Sequence, residues 1–215
     1  MSVSKIPRQS KYEEYLNGLT HGIGFFVCFI ASPYLLSRAY YSGLENALLA
    51  CTIFCGSMLV LYGSSTVYHL TRSPQRKMRM RSLDHICIFV LIAGSYTPFA
   101  LISLPTNWGA TFFIAAWLLA TVGIALKIFF FERFEKASYV LYLAMGWMAV
   151  IGYKPLHAAL GDGGMAMLAG GGIAYTLGIT FFLFDQRVKF FHALWHLFVL
   201  AGSGLHFLTV YKYVI

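Results

Sequence analysis

Charge is scarce in this chain. Only 11% of the 215 residues are Asp, Glu, Lys or Arg, and acidic side chains are the rarer kind, 8 against 16 basic ones. A water-soluble chain of this length cannot cover its surface with so few charges, so composition excludes a soluble globular protein and points to a multi-span membrane protein. Cysteine is sparse too. Cys28, Cys51, Cys55 and Cys87 all fall in apolar stretches, which implies no disulfide framework. Cys51 and Cys55 have a spacing that suits a metal, yet they lie toward the opposite end of their helix from His69 and read as small core residues. No Pro/Ser-rich linker, low-complexity stretch or internal repeat divides the sequence, so residues 1–215 read as one domain. Its first 18 residues, MSVSKIPRQSKYEEYLNG, are polar for too long to form a signal peptide and read as a cytoplasmic segment.

Hydrophobic residues, by contrast, make up 59% of the chain. They gather in seven apolar segments, 19–41, 46–71, 84–104, 108–130, 138–156, 164–184 and 192–213, each near the roughly 20 residues a helix needs to cross a bilayer. A transmembrane barrel would need short alternating segments instead. The breaks are RSPQRKMRMR, PTN, FERFEK, LGDGG and DQRVK. The expected fold is all-α, a seven-transmembrane-helix bundle in the cell membrane. Counting Lys and Arg on alternate sides puts Lys5, Arg8, Lys11, the run Arg72 to Arg81, Lys127, Arg133, Lys136, Arg187 and Lys189 together, leaving Arg38, Lys154 and Lys212 opposite. Basic residues favour the cytoplasm, so the N-terminus is expected inside and the C-terminus outside. Insertion rules and anionic headgroups then account for the net charge of +8 without a nucleic-acid partner.

Polar groups converge at one depth of that bundle. Ser65 and His69 lie a turn apart near the cytoplasmic end of helix 2, Asp84 and His85 open helix 3, and His192 and His196 open helix 7. Glu14, Asn17 and His21 form one stripe at the start of helix 1. Residues this polar are costly in hydrocarbon and face a bundle interior. His192 and His196, four apart, place two imidazoles on one face, and a third from another helix completes a three-histidine set suited to zinc with one position open. Alternatively, such a pair hydrogen-bonds backbone or headgroups. His157 and His206 read as structural. Gly161 to Gly172 read as a close-packing face rather than a flexible one. Tyr96-Thr97-Pro98 predicts a kink. Trp108, Trp147 and Tyr211 to Tyr213 read as interfacial anchors.

Three motifs, Glu14-x-x-Asn17-x-x-x-His21, Ser65-x-x-x-His69 followed by Asp84, and His192-x-x-x-His196, resemble the signatures of the hemolysin III proteins. These are the bacterial branch of the progestin and adipoQ receptor family, distantly related to alkaline ceramidases. The resemblance covers nearly the whole chain. It implies zinc held by His69, His192 and His196, with Ser65 and Asp84 beside the metal-bound water and Glu14, Asn17 and His21 in support. Three readings follow: a zinc-dependent hydrolase of a lipid amide or ester, a lipid-responsive membrane-homeostasis or receptor protein with structural zinc, and a lytic protein. In the first, Asp84 moves the proton and Ser65 hydrogen-bonds the oxyanion or orients the ligand. The plainer alternatives are a helix N-cap for Asp84 and a serine satisfied by a helix carbonyl for Ser65.

Overall fold

The computed structural model describes residues 9–215, so Lys5, Arg8 and the rest of the first eight residues of the expected N-terminal segment lie outside the described residues. Among the described residues there are helices and no strands. They are α1 (Lys11–Tyr41), α2 (Ala47–Leu70), α3 (Pro74–Pro98), α4 (Thr106–Phe130), α5 (Glu135–Gly146), α6 (Tyr153–Phe184) and α7 (Phe191–Thr209). Six of them, all but α5, are long and apolar enough to span a bilayer. Large apolar side chains such as Phe26, Ile30 and Tyr34 on α1 and Phe129 on α4 point outward with more than 60% of their surface exposed. Water would penalise that surface, whereas lipid covers it. The chain is a multi-pass integral membrane protein.

Helix boundaries follow local chemistry. Ser10 and Glu13 start α1 as a reciprocal cap: the Ser10 hydroxyl accepts from Glu13 N (3.2 Å) and the Glu13 carboxylate from Ser10 N (3.0 Å). α3 begins at Pro74, whose missing N–H costs nothing in a first turn. It therefore takes in most of RSPQRKMRMR, a break between helices by its sequence pattern, and Asp84 sits in the helix interior rather than opening it. After Pro98 the helix widens into a π-helical turn, Phe99–Ser103, closed by Leu104 N donating to the Phe99 carbonyl (3.0 Å), where the kink was predicted. The segment 138–156 is not one helix either. It is divided among α5, a 3₁₀ turn (Trp147–Val150) and the start of α6. Within α6, Gly161 breaks the helical path at φ 63°, ψ −177°, a conformation open essentially to glycine alone, inside the expected LGDGG break.

In the bundle α1 packs against α2 and α7, α2 against α3, α3 against α4, and α6 against α7. One end is laced by charge. Glu14 pairs with Lys77 (2.9 Å), Arg81 with Glu135, and Glu13 accepts from Phe190 N (3.1 Å). The start of α1, the first turns of α3, the start of α5 and the α6–α7 link are thereby joined. Lys127 lies on α4, inside the expected segment 108–130, and is 1% exposed, with its ammonium 4.5 Å from the centre of the Phe131 ring. At the opposite end Arg38 Nε donates to the Ile215 carbonyl (2.7 Å) and its guanidinium lies over Tyr211.

Candidate metal centre

At the charge-laced end, α2 and α7 bring His69, His192 and His196 together, so that one ring nitrogen of each lies within 4.8 Å of the others. Each ring is held from behind. His69 Nδ1 is 2.8 Å from a Glu14 carboxylate oxygen, which also pairs with Lys77. His192 Nδ1 is 2.6 Å from Asp185 Oδ2, and both side chains are mostly buried. His196 Nδ1 faces the Asn17 carbonyl (3.1 Å) and Thr20 Oγ1 (3.0 Å).

These partners assign the tautomers. Carboxylates and carbonyls only accept, so Nδ1 carries the proton in each ring and Nε2 keeps its lone pair. His69 Nε2 is buried with no hydrogen-bond partner in the protein. Nε2 is thus the nitrogen that each of the three rings has left to give a metal. Such a donor set fits a nitrogen-preferring divalent ion such as zinc.

The other expected residues gather around this trio. His21 lies flat on His196 (ring centres 3.6 Å apart, planes 11° apart), and both its nitrogens are buried without partners. Asn17 contributes its backbone carbonyl, while its side-chain amide reaches Gln9 (2.7 Å). Ser65 and Asp84 line a cavity of about 440 Å³ together with His21, His192 and His196. Ser57 and Ser64 on the same helix bond their own helix carbonyls, but the buried Ser65 Oγ bonds no helix carbonyl, contrary to the plainer reading, and has the Asp84 carboxylate as its polar neighbour. Nor does Asp84 cap α3: Ser73 holds that position.

His85 borders the cavity with its ring edge-on to Phe131 and Phe182. His157 pairs with Asp162 (2.7 Å), and Trp147, expected as an anchor, also lines the cavity wall. Sequence reading missed Asp185, Thr20 and Lys77. Asp185 alone left a signal, an acid seven residues before His192 in a chain with few acids. The cysteines are free and buried, as expected.

Residues 9–207 match the family model described as Haemolysin-III related. The chain is 42% identical to "Hemolysin-3" of Bacillus cereus over 213 residues, covering 98% of this chain and 97% of that protein. It is 42% identical to a "Hemolysin-3 homolog" of Bacillus subtilis (strain 168) over 203 residues, 94% of this chain and 95% of the relative. The human protein "Monocyte to macrophage differentiation factor" is 28% identical over 212 residues, 94% of this chain and 85% of its own length.

Proposed function

The chain belongs to the haemolysin III family, the bacterial branch of the progestin and adipoQ receptor family, and on that premise we propose that it is a zinc-binding hydrolase of membrane-lipid amides or esters. The observation that carries the reading is the trio of histidines, each anchored through Nδ1, beside a carboxylate and a neighbouring serine hydroxyl on one mainly apolar cavity. His69, His192 and His196 hold the ion. When bound, zinc supplies a Lewis acid that polarises a carbonyl and makes water acidic near neutral pH. Asp84 takes a proton from the attacking water and returns it to the leaving amine or alcohol. Ser65, whose hydroxyl is not tied to its own helix, donates to the oxygen on which charge develops. Glu14, Asp185 and Asn17 fix the rings that do the holding, and the cavity keeps the lipid tail out of water.

The same proposal includes seven crossings, with the N-terminus in the cytoplasm and the scissile bond at the cytoplasmic leaflet. Support comes from the basic residues clustered at the histidine end and from Ile215 lying beside Arg38 at the other. The broken stretch from α5 to Gly161 serves as the fifth crossing. A second reading, a lipid-responsive membrane-homeostasis or receptor protein with structural zinc, draws on the same anchoring, since rigidly held ligands also suit a structural ion. Asp84→Asn separates the two. The variant should keep zinc but lose release of fatty acid from ceramide-like and ester lipids by roughly 10²–10⁴-fold. Equal turnover removes Asp84 from the chemistry, and no turnover by either protein across a broad lipid panel favours the receptor. The lytic activity in the bacterial relatives' names ranks third, because the cavity wall is mainly apolar.

A further inference from the structure

The cavity that begins at the histidines continues along α6 and α7, and its apolar wall is interrupted by two polar atoms that form no well-aligned hydrogen bond. His206 Nδ1 is buried without a hydrogen-bond partner, the buried Tyr175 hydroxyl has only Ser203 as a polar neighbour and forms no well-aligned bond to it, and both residues line the cavity. Their rings meet edge to face with centres 5.5 Å apart. Each is given room by a glycine on the facing helix. A Cβ on Gly171 would fall 2.3 Å from the His206 ring, and one on Gly202 would fall 2.9 Å from the Tyr175 ring. Ser203, the polar neighbour on this side, is already engaged with the Tyr62 hydroxyl and the Val199 carbonyl.

The polarity of the pair is defined. His206 Nε2 lies 3.2 Å from the Leu168 carbonyl, so it carries the proton, and Nδ1 is left as an acceptor. Tyr175 offers its O–H as a donor. One donor beside one acceptor in an apolar wall is the complement of an alcohol, which accepts from one and donates to the other. A ketone or ether would leave His206 unpaired, and a plain methylene would leave both groups unpaired, which is costly away from water.

The position along the cavity is defined as well. Ten residues of α7 separate His196 from His206, about 15 Å of helix, and an extended chain advances about 1.2 Å per bond. A group held at Tyr175 and His206 is thus about 12 bonds from one held at the histidines. We propose that this is a second subsite of the cavity and that it recognises a hydroxyl near the middle of a long acyl chain. The inference rests on the lipid reading above and narrows its substrate class to mid-chain hydroxylated lipids.

Stearic acid and 12-hydroxystearic acid are the probes, titrated against the purified full chain in detergent. The hydroxylated acid should bind roughly tenfold more tightly, the gain expected from two well-placed hydrogen bonds. Tyr175→Phe, which keeps the ring, should bring the two acids within about twofold. A preference that survives Tyr175→Phe overturns the assignment. Should that variant fail to fold, 2-hydroxystearic acid tested on the unaltered protein serves instead, because an equal gain from a hydroxyl at that end overturns the subsite. Equal binding of stearic and 12-hydroxystearic acid refutes this inference and leaves the lipid reading standing. Binding of neither overturns both.

Discussion

Replacing Asp185 tests whether the three rings are built to hold an ion. The carboxylate is 2.6 Å from His192 Nδ1, its side chain is 8% exposed and that of His192 12%. A hydrogen bond to a charged group at such burial contributes about 1.5–3 kcal/mol, and losing an outer partner of a metal-binding histidine weakens affinity about 10–100-fold. The two estimates agree, since a tenfold change corresponds to about 1.4 kcal/mol. Asp185→Ala, which frees the ring to turn, should fall at the weaker-binding end of that range. Asp185→Asn keeps an acceptor oxygen but loses the charge, and should fall near the tenfold end. Zinc competition against a chelator of known affinity, on both variants and the unaltered protein, reads the effect directly. Zinc affinity unchanged in Asp185→Ala would mean that His192 is not a ligand, or that the trio does not exist to bind metal.

Other expectations follow from the same geometry. His196→Ala should abolish the zinc, about one per chain, that copurifies with the unaltered protein, and should lower its melting temperature, because an ion bound only to the folded state stabilises it; metal analysis that still finds one zinc per chain would count against the site. Reporters at the N-terminus and between Arg72 and Pro74 should read cytoplasmic and one after Ile215 external, while a cytoplasmic C-terminus would require an even number of crossings. Gly161→Ala should cost about 1–3 kcal/mol in unfolding measurements, since its backbone lies in glycine's region and nothing within 4 Å would meet the new Cβ; an unchanged melting temperature would show that the break relaxes.

What could be read from the sequence was whatever one helix face decides by itself. Four-residue spacings aligned Ser65 with His69 and His192 with His196, and long apolar runs revealed the helices. The start of α3 escaped because five basic residues look like a loop, although Ser73-Pro74 carried the signal of a helix start. Asp185 and Thr20 escaped for another reason. Their roles arise only when the α6–α7 link folds back on α7 and α1 packs against it, contacts that periodicity does not record. The broken fifth segment escaped because hydropathy registers apolar length and is blind to a change of helical direction.

The distance in sequence between His69 and His192 has a consequence for assembly. One ligand enters with the second helix, and the other two enter with the last. His192 and His196 are made after α1 to α6, so the three nitrogens come together only once α7 has joined the bundle. An ion captured there would act as a checkpoint on biogenesis. A truncated or misinserted product would lack the trio and its stabilisation, and would stay open to membrane proteolysis, whereas the complete protein would be locked at its last step.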